Sequence, residues 1–420
     1  MILVDTLRAD HMSAYGYERP TTPRLDSLAD EMIVFDRARS QAACTFPSVN
    51  SLLTSRHAAP FYRQGKGKMG IPPEIPTLAD LLHRRGYATM AVSASPIVRA
   101  TPSELNPAGG FGSGFDVFDE SPMWREGAFV NHVALTRLKS LSEPFFLYLH
   151  YMDPHDPYRP PKTWAKQFAG ETTGPDFIRL GDPNPIAAMI YGSGPAVTVF
   201  EKDIQHLVDL YDDEIGYADQ QVTKLIHHLE KRGFAGHTIL VLAADHGEEF
   251  MEHGHMKHCR VLYDSSTHVP LMLRIPGVRG GKRIEAAVQN VDIVPTVLDY
   301  LGTGPPPSPV AGRSLRPLIE GRAPRPTRVA FSSQGKWRSA DDGRFKVIMD
   351  GVTLDEQLFD LRGDPQELHD LWATHSHVAS MLDRCLREWL EKTLRGFGHK
   401  KALEAARSKE EQLRALGYLQ

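Results

Sequence analysis

Residues 238–246 read TILVLAADH: seven uncharged residues, then Asp245 and His246. A run that is apolar on both faces belongs in the middle of a sheet covered on both sides, where neither face meets water. The same form recurs at Met1–Val4, followed by Asp5, at Ala88–Ser93, and at Phe145–Tyr151, with Asp153 and His155 just beyond it. Amphipathic stretches separate these runs, and the alternation predicts an α/β fold with a mostly parallel sheet packed by helices. Across Asp203–Arg232, Ile204, Leu207, Tyr211, Ile215, Ala218, Val222, Leu225 and Leu229 recur at helical spacing, which predicts one long helix laying a single stripe on the sheet. Asp212, Asp213 and Glu214 are read as its solvated side.

Ligands of open α/β sheets bind beyond the carboxyl ends of the strands, where loops and helix N-termini converge. Asp5, Asp245 with His246, and Asp153 with His155 are all delivered to that rim. A single strand-end Asp is more often a turn former or helix cap than a ligand. Jointly, hard oxygen and imidazole nitrogen from separate strands suit a divalent cation, with Asp5, Asp245 and His246 as its ligands. The segment Cys44–Thr54, CTFPSVNSLLT, reads as a loop entering a helix with Pro47 in its first turn. Thr45 then lies at a helix N-terminus, which favours an anion and a hydroxyl of lowered pKa; the plainer reading is a capping Thr. Between Asp245 and His258 the chain packs His246, His253, His255, Lys257 and His258, a solvated loop or a ring of cations around a tetrahedral anion, one His protonating the departing oxygen.

Composition bounds the alternatives. A chain of 420 residues that is 41% hydrophobic and 24% charged is of ordinary globular make-up. Lys and Arg total 48 against 52 Asp and Glu, a net charge of −4, which supplies no long-range field for nucleic acid or an anionic membrane. No window is apolar for long enough to span a bilayer and no signal peptide precedes the first strand, so the abrupt opening reads as a trimmed start. Compartment and oligomeric state are not readable. Cys44, Cys259 and Cys385 are too few for a disulfide framework, and Cys44 and Cys259 are read as buried inert thiols.

Residues 101–114 and 170–202 are rich in Gly, Pro and Thr and read as loops over a site, candidates for substrate selection. Beyond the GTGPPPSP stretch, alternating runs at Arg328–Ser332, Phe345–Met349 and Gln357–Leu361 predict an antiparallel subdomain. The division expected is 1–305 for the α/β unit, 306–374 for the smaller sheet and 375–420 for a helical tail.

Taken in order, VDTLRADHMSAYGYERPTTPRLDSLA, TFPSVNSLLT, LHYMDPHDPYRPP, AADHGEEFMEHGH, LYDSSTHVPLMLRIPG, VDIVPTVLDYLG, GRFKVIMD and LFDLRGDPQELHDL resemble the blocks of the sulfatase family of the alkaline phosphatase superfamily. The resemblance covers nearly the whole chain. It implies an alkaline-phosphatase-like mixed sheet sandwiched by helices, a smaller C-terminal antiparallel sheet, and metal-assisted hydrolysis of a small anionic sulfate or phosphate ester. Asp5, Asp245 and His246 fall on the family's metal ligands and Thr45 on its nucleophile. His155 falls on a histidine near the leaving group, His258 on a basic substrate contact, and Lys257 on a weaker candidate for one. One divalent metal is implied, with Ca, Mn, Mg and Zn left open, as is a second on His253 or His255.

The departures point elsewhere in the superfamily. Sulfatases proper carry Cys or Ser in a C/S-x-P-S-R sequence, converted to formylglycine. Here Thr45 stands at that position, Cys44 is one residue out of register and Val49 replaces the Arg, so formylglycine is not expected. A GKWHLG-like block is missing, and residues 91–96 (AVSASP) occupy its strand end. Thr as nucleophile resembles the phosphodiesterases and phosphoethanolamine transferases. The readings left standing are a hydrolase acting through Thr45, a catalytically inactive binding module, and a phosphoryl transferase.

Overall fold

The computed structural model describes residues 1–58, 61–63, 67–68, 70–164, 167–169, 201–307, 310–322 and 328–395. Of the expected loop 170–202 and tail 375–420, residues 170–200 and 396–420 lie outside the described residues.

The predicted apolar runs form the middle of an eight-stranded sheet. In chain order its strands are β1 (Ile2–Val4), β2 (Ile33–Phe35), β3 (Ala88–Ser93), β4 (Val117–Asp119), β5 (Phe145–Tyr151), β6 (Leu240–Ala244), β7 (Leu271–Arg274) and β8 (Lys282–Ile284), and across the sheet they lie β8-β2-β7-β6-β1-β5-β3-β4. All run in one sense except β7, which is antiparallel to both β6 and β2. β1 is flanked by β5 and β6 in parallel, with Val4 level with Tyr151 on one side and Ala244 on the other. Parallel neighbours in that register end together, so the residues that follow them share one rim.

The long helix, α2, spans Glu201–Lys231, close to the predicted bounds, with α1 being Thr45–Thr54. Its acidic triplet is not on the wet side. Asp212, Asp213 and Glu214 are buried, because the helix is covered by loops on the flank away from the sheet. Asp212 takes His11 Nδ1 at 2.7 Å, the Tyr17 hydroxyl at 2.9 Å and Arg19 at 2.9 Å. Asp213 accepts the backbone N–H of Gln167 and Ala169, and Glu214 that of Arg159. Asp213 and Glu214 thus pin the segments that follow His155, and Asp212 the segment 11–19.

A separate antiparallel sheet is made of β9 (Ala330–Gln334), β10 (Trp337–Asp341), β11 (Phe345–Asp350) and β12 (Glu356–Asp360) in sequential order. Helix α3 (Ser376–Arg395) covers one face, packing Ala379, Leu382, Leu386 and Trp389 on Ala340, Val347, Met349 and Leu358. β10 was not predicted, because WRSAD has no apolar alternation. Its Asp341 instead faces a buried ionic cluster. Arg39 is bonded to Asp341 and to Asp264 (3.0 Å), and Lys346 to Asp264 (2.9 Å) and Glu367 (3.0 Å), joining the small sheet to the large unit. Removing one partner of such a cluster strands the others as uncompensated buried charge. Lys346→Met is therefore expected to lower the unfolding free energy by about 3–5 kcal/mol in urea denaturation.

Trp389 Nε1–H also donates to His57 Nε2 at 2.8 Å, tying α3 to the segment after α1. Burial pushes His57 from the usual 6.5 down to about 4. The unfolded chain therefore takes up the proton first, and stability present above the ordinary value is lost as pH falls toward the lowered one. Between pH 7 and 5 the wild type should lose about 1–2 kcal/mol more than His57→Gln, which keeps an acceptor but does not titrate. Denaturation curves at the two pH values check this.

Candidate functional site: a buried carboxylate pair at the sheet rim

Asp5 follows β1 and Asp245 follows β6, and the register sets their side chains together with both fully buried. Asp245 Oδ1 accepts the backbone N–H of Thr6 (3.2 Å) and of His246 (2.9 Å). Asp5 Oδ2 accepts His150 Nε2–H at 2.9 Å. Asp5 Oδ1 and Asp245 Oδ2 accept no hydrogen bond among the described residues. His246 Nε2 lies 3.7 Å from the first and 3.5 Å from the second. Its Nδ1 is 2.8 Å from the Gly247 carbonyl, which only accepts, so Nδ1 carries a proton and Nε2 is the atom turned toward the carboxylates. Gly247 allows this turn because a Cβ there would lie 1.9 Å from the Ser265 carbonyl oxygen.

The fourth atom comes from α1. Thr45 is its first residue, with Cys44 as N-cap, and Thr45 Oγ1 sits 3.2 Å from His246 Nε2. Every residue of α1 is buried. Ser48 Oγ–H donates to the Asp245 carbonyl, and Asn290 Nδ2 to the Ala244 carbonyl, so the helix start is fastened to the end of β6. Separations of 3.2, 3.7 and 3.5 Å are near the edge, about 3.4 Å, of a tetrahedron with ligand bonds of about 2.1 Å.

Electrostatics favour the same conclusion. Burial alone would raise Asp5, but the His150 hydrogen bond and the imidazoles of His155, His150 and His246 outweigh it and hold the carboxyl below the usual range. Asp245 is pushed up, first by burial and then by the charge of Asp5. Two carboxylates in a dry pocket with unused oxygens, an imidazole lone pair and a hydroxyl form a donor set that a divalent cation fits.

Outside this set lies a layer of positive charge. His258 Nδ1–H points at Glu248 Oε1 (3.1 Å); burial opposes protonation, but Glu248 and Asp156 lift the ring to about 9. His155 Nδ1–H donates to the Asp156 carbonyl at 2.6 Å. Lys257 does not reach the carboxylate pair directly, its Nζ being held by Asp156 Oδ2 at 2.8 Å. His253 turns away, stacked on Tyr263 and bonded to the Gln366 carbonyl, and His255 joins no ligand group among the described residues.

The sequence reading missed several members. His150 sits inside an apolar strand; the available signal was that an imidazole there must satisfy two nitrogens, which it does with Asp5 and the Tyr148 hydroxyl. Glu248 and Asp156 gave no signal apart from their neighbours. Cys44 and Cys259 are not inert thiols: they are disulfide-bonded, joining the residue before Thr45 to the residue after His258. Sequence spacing conceals the pair because the half-cystines lie 215 residues apart.

Residues 1–303 match the family model described as Sulfatase, and residues 251–393 one described as N-sulphoglucosamine sulphohydrolase, C-terminal. Arylsulfatase K of Xenopus laevis is 27% identical over 302 residues, covering 64% of this chain and 54% of that protein. Arylsulfatase K of Gallus gallus is 28% identical over 306 residues, covering 65% and 55%. The chain thus spans about half the length of the curated relatives it matches. Phosphonate monoester hydrolase from Silicibacter pomeroyi superposes with a TM-score of 0.74 at 22% identity, covering 95% of each chain. A structure solved in complex with its substrate D-glucosamine-2-N,6-O-disulfate superposes with a TM-score of 0.75 at 20% identity, covering 96% of this chain and 99% of that one. At such identities the superpositions establish the fold.

Reducing the Cys44–Cys259 bond frees a long loop in the unfolded chain. Cys44→Ser/Cys259→Ser should cost about 2–4 kcal/mol of stability, read as a lower urea midpoint that dithiothreitol no longer changes.

Proposed function

We propose that this chain, which belongs to the sulfatase family, is a metal-dependent hydrolase of an anionic sulfate or phosphate ester with Thr45 as nucleophile in place of formylglycine. The observation that carries the reading is the grouping of Asp5, Asp245 and His246 as possible ligands of one ion, with Thr45 Oγ1 3.2 Å from His246 Nε2. A divalent cation held by Asp5, Asp245 and His246 would supply the charge that favours an alkoxide and offsets the negative ester oxygens.

The remaining work falls to the chain's own groups. The Thr45 hydroxyl gives its proton to solvent as its oxygen bonds to phosphorus or sulfur, and the bond from that atom to the ester oxygen breaks, the departing alkoxide taking a proton from His258. His258, kept cationic by Glu248, and His155 are assigned to the leaving group and the nonbridging oxygens. Lys257 holds Asp156 beside them and adds positive charge at one remove. Water then cleaves the Thr45 ester and restores the hydroxyl. Phosphorus suits this chemistry better than sulfur, because a phosphothreonine can be hydrolysed directly whereas a sulfothreonine lacks the hemiacetal route of a hydrated aldehyde.

A second reading, a binding module without turnover, is favoured by Val49, which is fully buried where the family motif has an Arg. The two are separated by assaying the purified chain with Mn, Zn, Ca or Mg on p-nitrophenyl sulfate, p-nitrophenyl phosphate, bis(p-nitrophenyl) phosphate and p-nitrophenyl phenylphosphonate. The hydrolase reading expects turnover on at least one phosphorus ester, lost in EDTA, restored by metal, and lowered at least about 10³-fold by Thr45→Ala. No turnover on any ester, or a Thr45→Ala variant as active as wild type, overturns it. A melting temperature raised by metal without turnover would then favour the binding module.

A further inference from the structure

Four rings run in file outward from the carboxylate pair. His246 and His258 have centroids 4.7 Å apart, His258 and His155 5.0 Å, and His155 and Trp124 5.8 Å. The inner end of the file is buried and the outer end exposed. His246 is fully buried, the side chains of His258 and His155 are 15% and 12% exposed, and Trp124 is 48% exposed. The file thus links the buried carboxylate pair to solvent through ring contacts, with Trp124 at its exposed end.

Trp124 is held there at some cost. Its φ is +58°, a left-handed conformation that bulky residues rarely adopt and that persists only where the surroundings impose it. Its N–H donates to the Ala94 carbonyl just beyond β3 (2.9 Å), and the Arg125 N–H to the Pro122 carbonyl (2.7 Å). The Glu120 carboxylate, at the head of this turn, accepts the N–H groups of Ala100 and Thr101 and pairs with Arg99. The turn is thus fastened both to the sheet rim and to the 101–114 loop. A strained, pinned backbone that leaves an indole and the neighbouring Met123 in solvent returns little burial energy, so its placement is not explained by packing. The cation beside it is engaged elsewhere, since Arg125 lies over the Phe129 ring at 4.2 Å. What Trp124 offers a ligand is an uncharged aromatic face.

We infer that Trp124 determines specificity by stacking on a ring, pyranose or aryl, in the organic part of the ester whose anionic end sits at Asp5, Asp245 and Thr45. The inference rests on the proposed hydrolase reading and names its substrate class as ring-bearing rather than linear.

The test uses the full chain with Trp124→Ala and Trp124→Phe, assayed on p-nitrophenyl phosphate, glucose 6-phosphate and ethyl phosphate, comparing each variant with wild type on the same ester. Trp124→Ala should raise KM about tenfold for the ring-bearing esters, with kcat within about twofold, leave ethyl phosphate unchanged, and be largely rescued by Phe. Whichever of the aryl and sugar esters shows the larger change identifies the ring preferred. An equal change on all three esters, or none, overturns the inference. Should wild type turn over no ester, which would count against the hydrolase reading alone, calorimetric titration with phenyl phosphate and ethyl phosphate decides the same question. A loss in Trp124→Ala confined to phenyl phosphate supports the stacking role, and equal affinities in wild type and variant overturn it.

Discussion

Two carboxylates that share a dry pocket repel each other, and the register of β1 with β6 leaves Asp5 and Asp245 no other place to be. The surroundings are organised to make that tolerable. His150 donates to one oxygen of Asp5, the Thr6 and His246 N–H groups donate to one oxygen of Asp245, and one oxygen on each is left pointing inward. Stabilising half of each carboxylate and exposing the other half is the arrangement of ligands with a supporting shell. A structural ion pair would have brought a Lys or Arg into the gap; instead the gap is faced by a lone pair on His246 and a hydroxyl on Thr45. The Gly247 carbonyl that fixes the His246 tautomer is thus part of the same requirement.

Charge is graded outward from that point. Negative carboxylates lie innermost, then His258 raised by Glu248, then Lys257 tied to Asp156. Such an order fits an anion entering from solvent, since it meets positive charge before it meets the carboxylates. Val49 is part of the hydrophobic core, so an apolar side chain is packed where the family motif has the arginine. A ligand of lower charge, or one recognised more by its organic part, is the chemistry consistent with that change.

The fold was legible wherever burial on both faces erases alternation: β3 and β5 fall on the residues expected, and β1 and β6 differ by one and two residues at their starts. Asp5, Asp245 and His246 were legible for a related reason, since a polar residue directly after a buried strand has few structural roles there. Reading failed where a residue's partner is distant. Asp212, Asp213 and Glu214 look solvated on a helical wheel that knows only the sheet, whereas loops cover α2 from the other flank. β10 looks irregular because its Asp341 answers Arg39, some three hundred residues upstream. The disulfide was hidden for the same reason.

That disulfide also bears on which side chain of residues 44–54 the proposed chemistry would use. The Cys44 thiol is taken up in the bond to Cys259. Ser48 donates its hydroxyl proton to the Asp245 carbonyl, with Ser40 Oγ 2.9 Å from its oxygen. Ser51 and Thr54 return theirs to the carbonyls of Pro47 and Asn50 within α1. Among the described residues of this segment, Thr45 alone brings a hydroxyl to His246 Nε2, and it does so from the first turn of a buried helix. Among the described residues, Thr45 Oγ1 is therefore the hydroxyl of this segment on which the proposed chemistry rests.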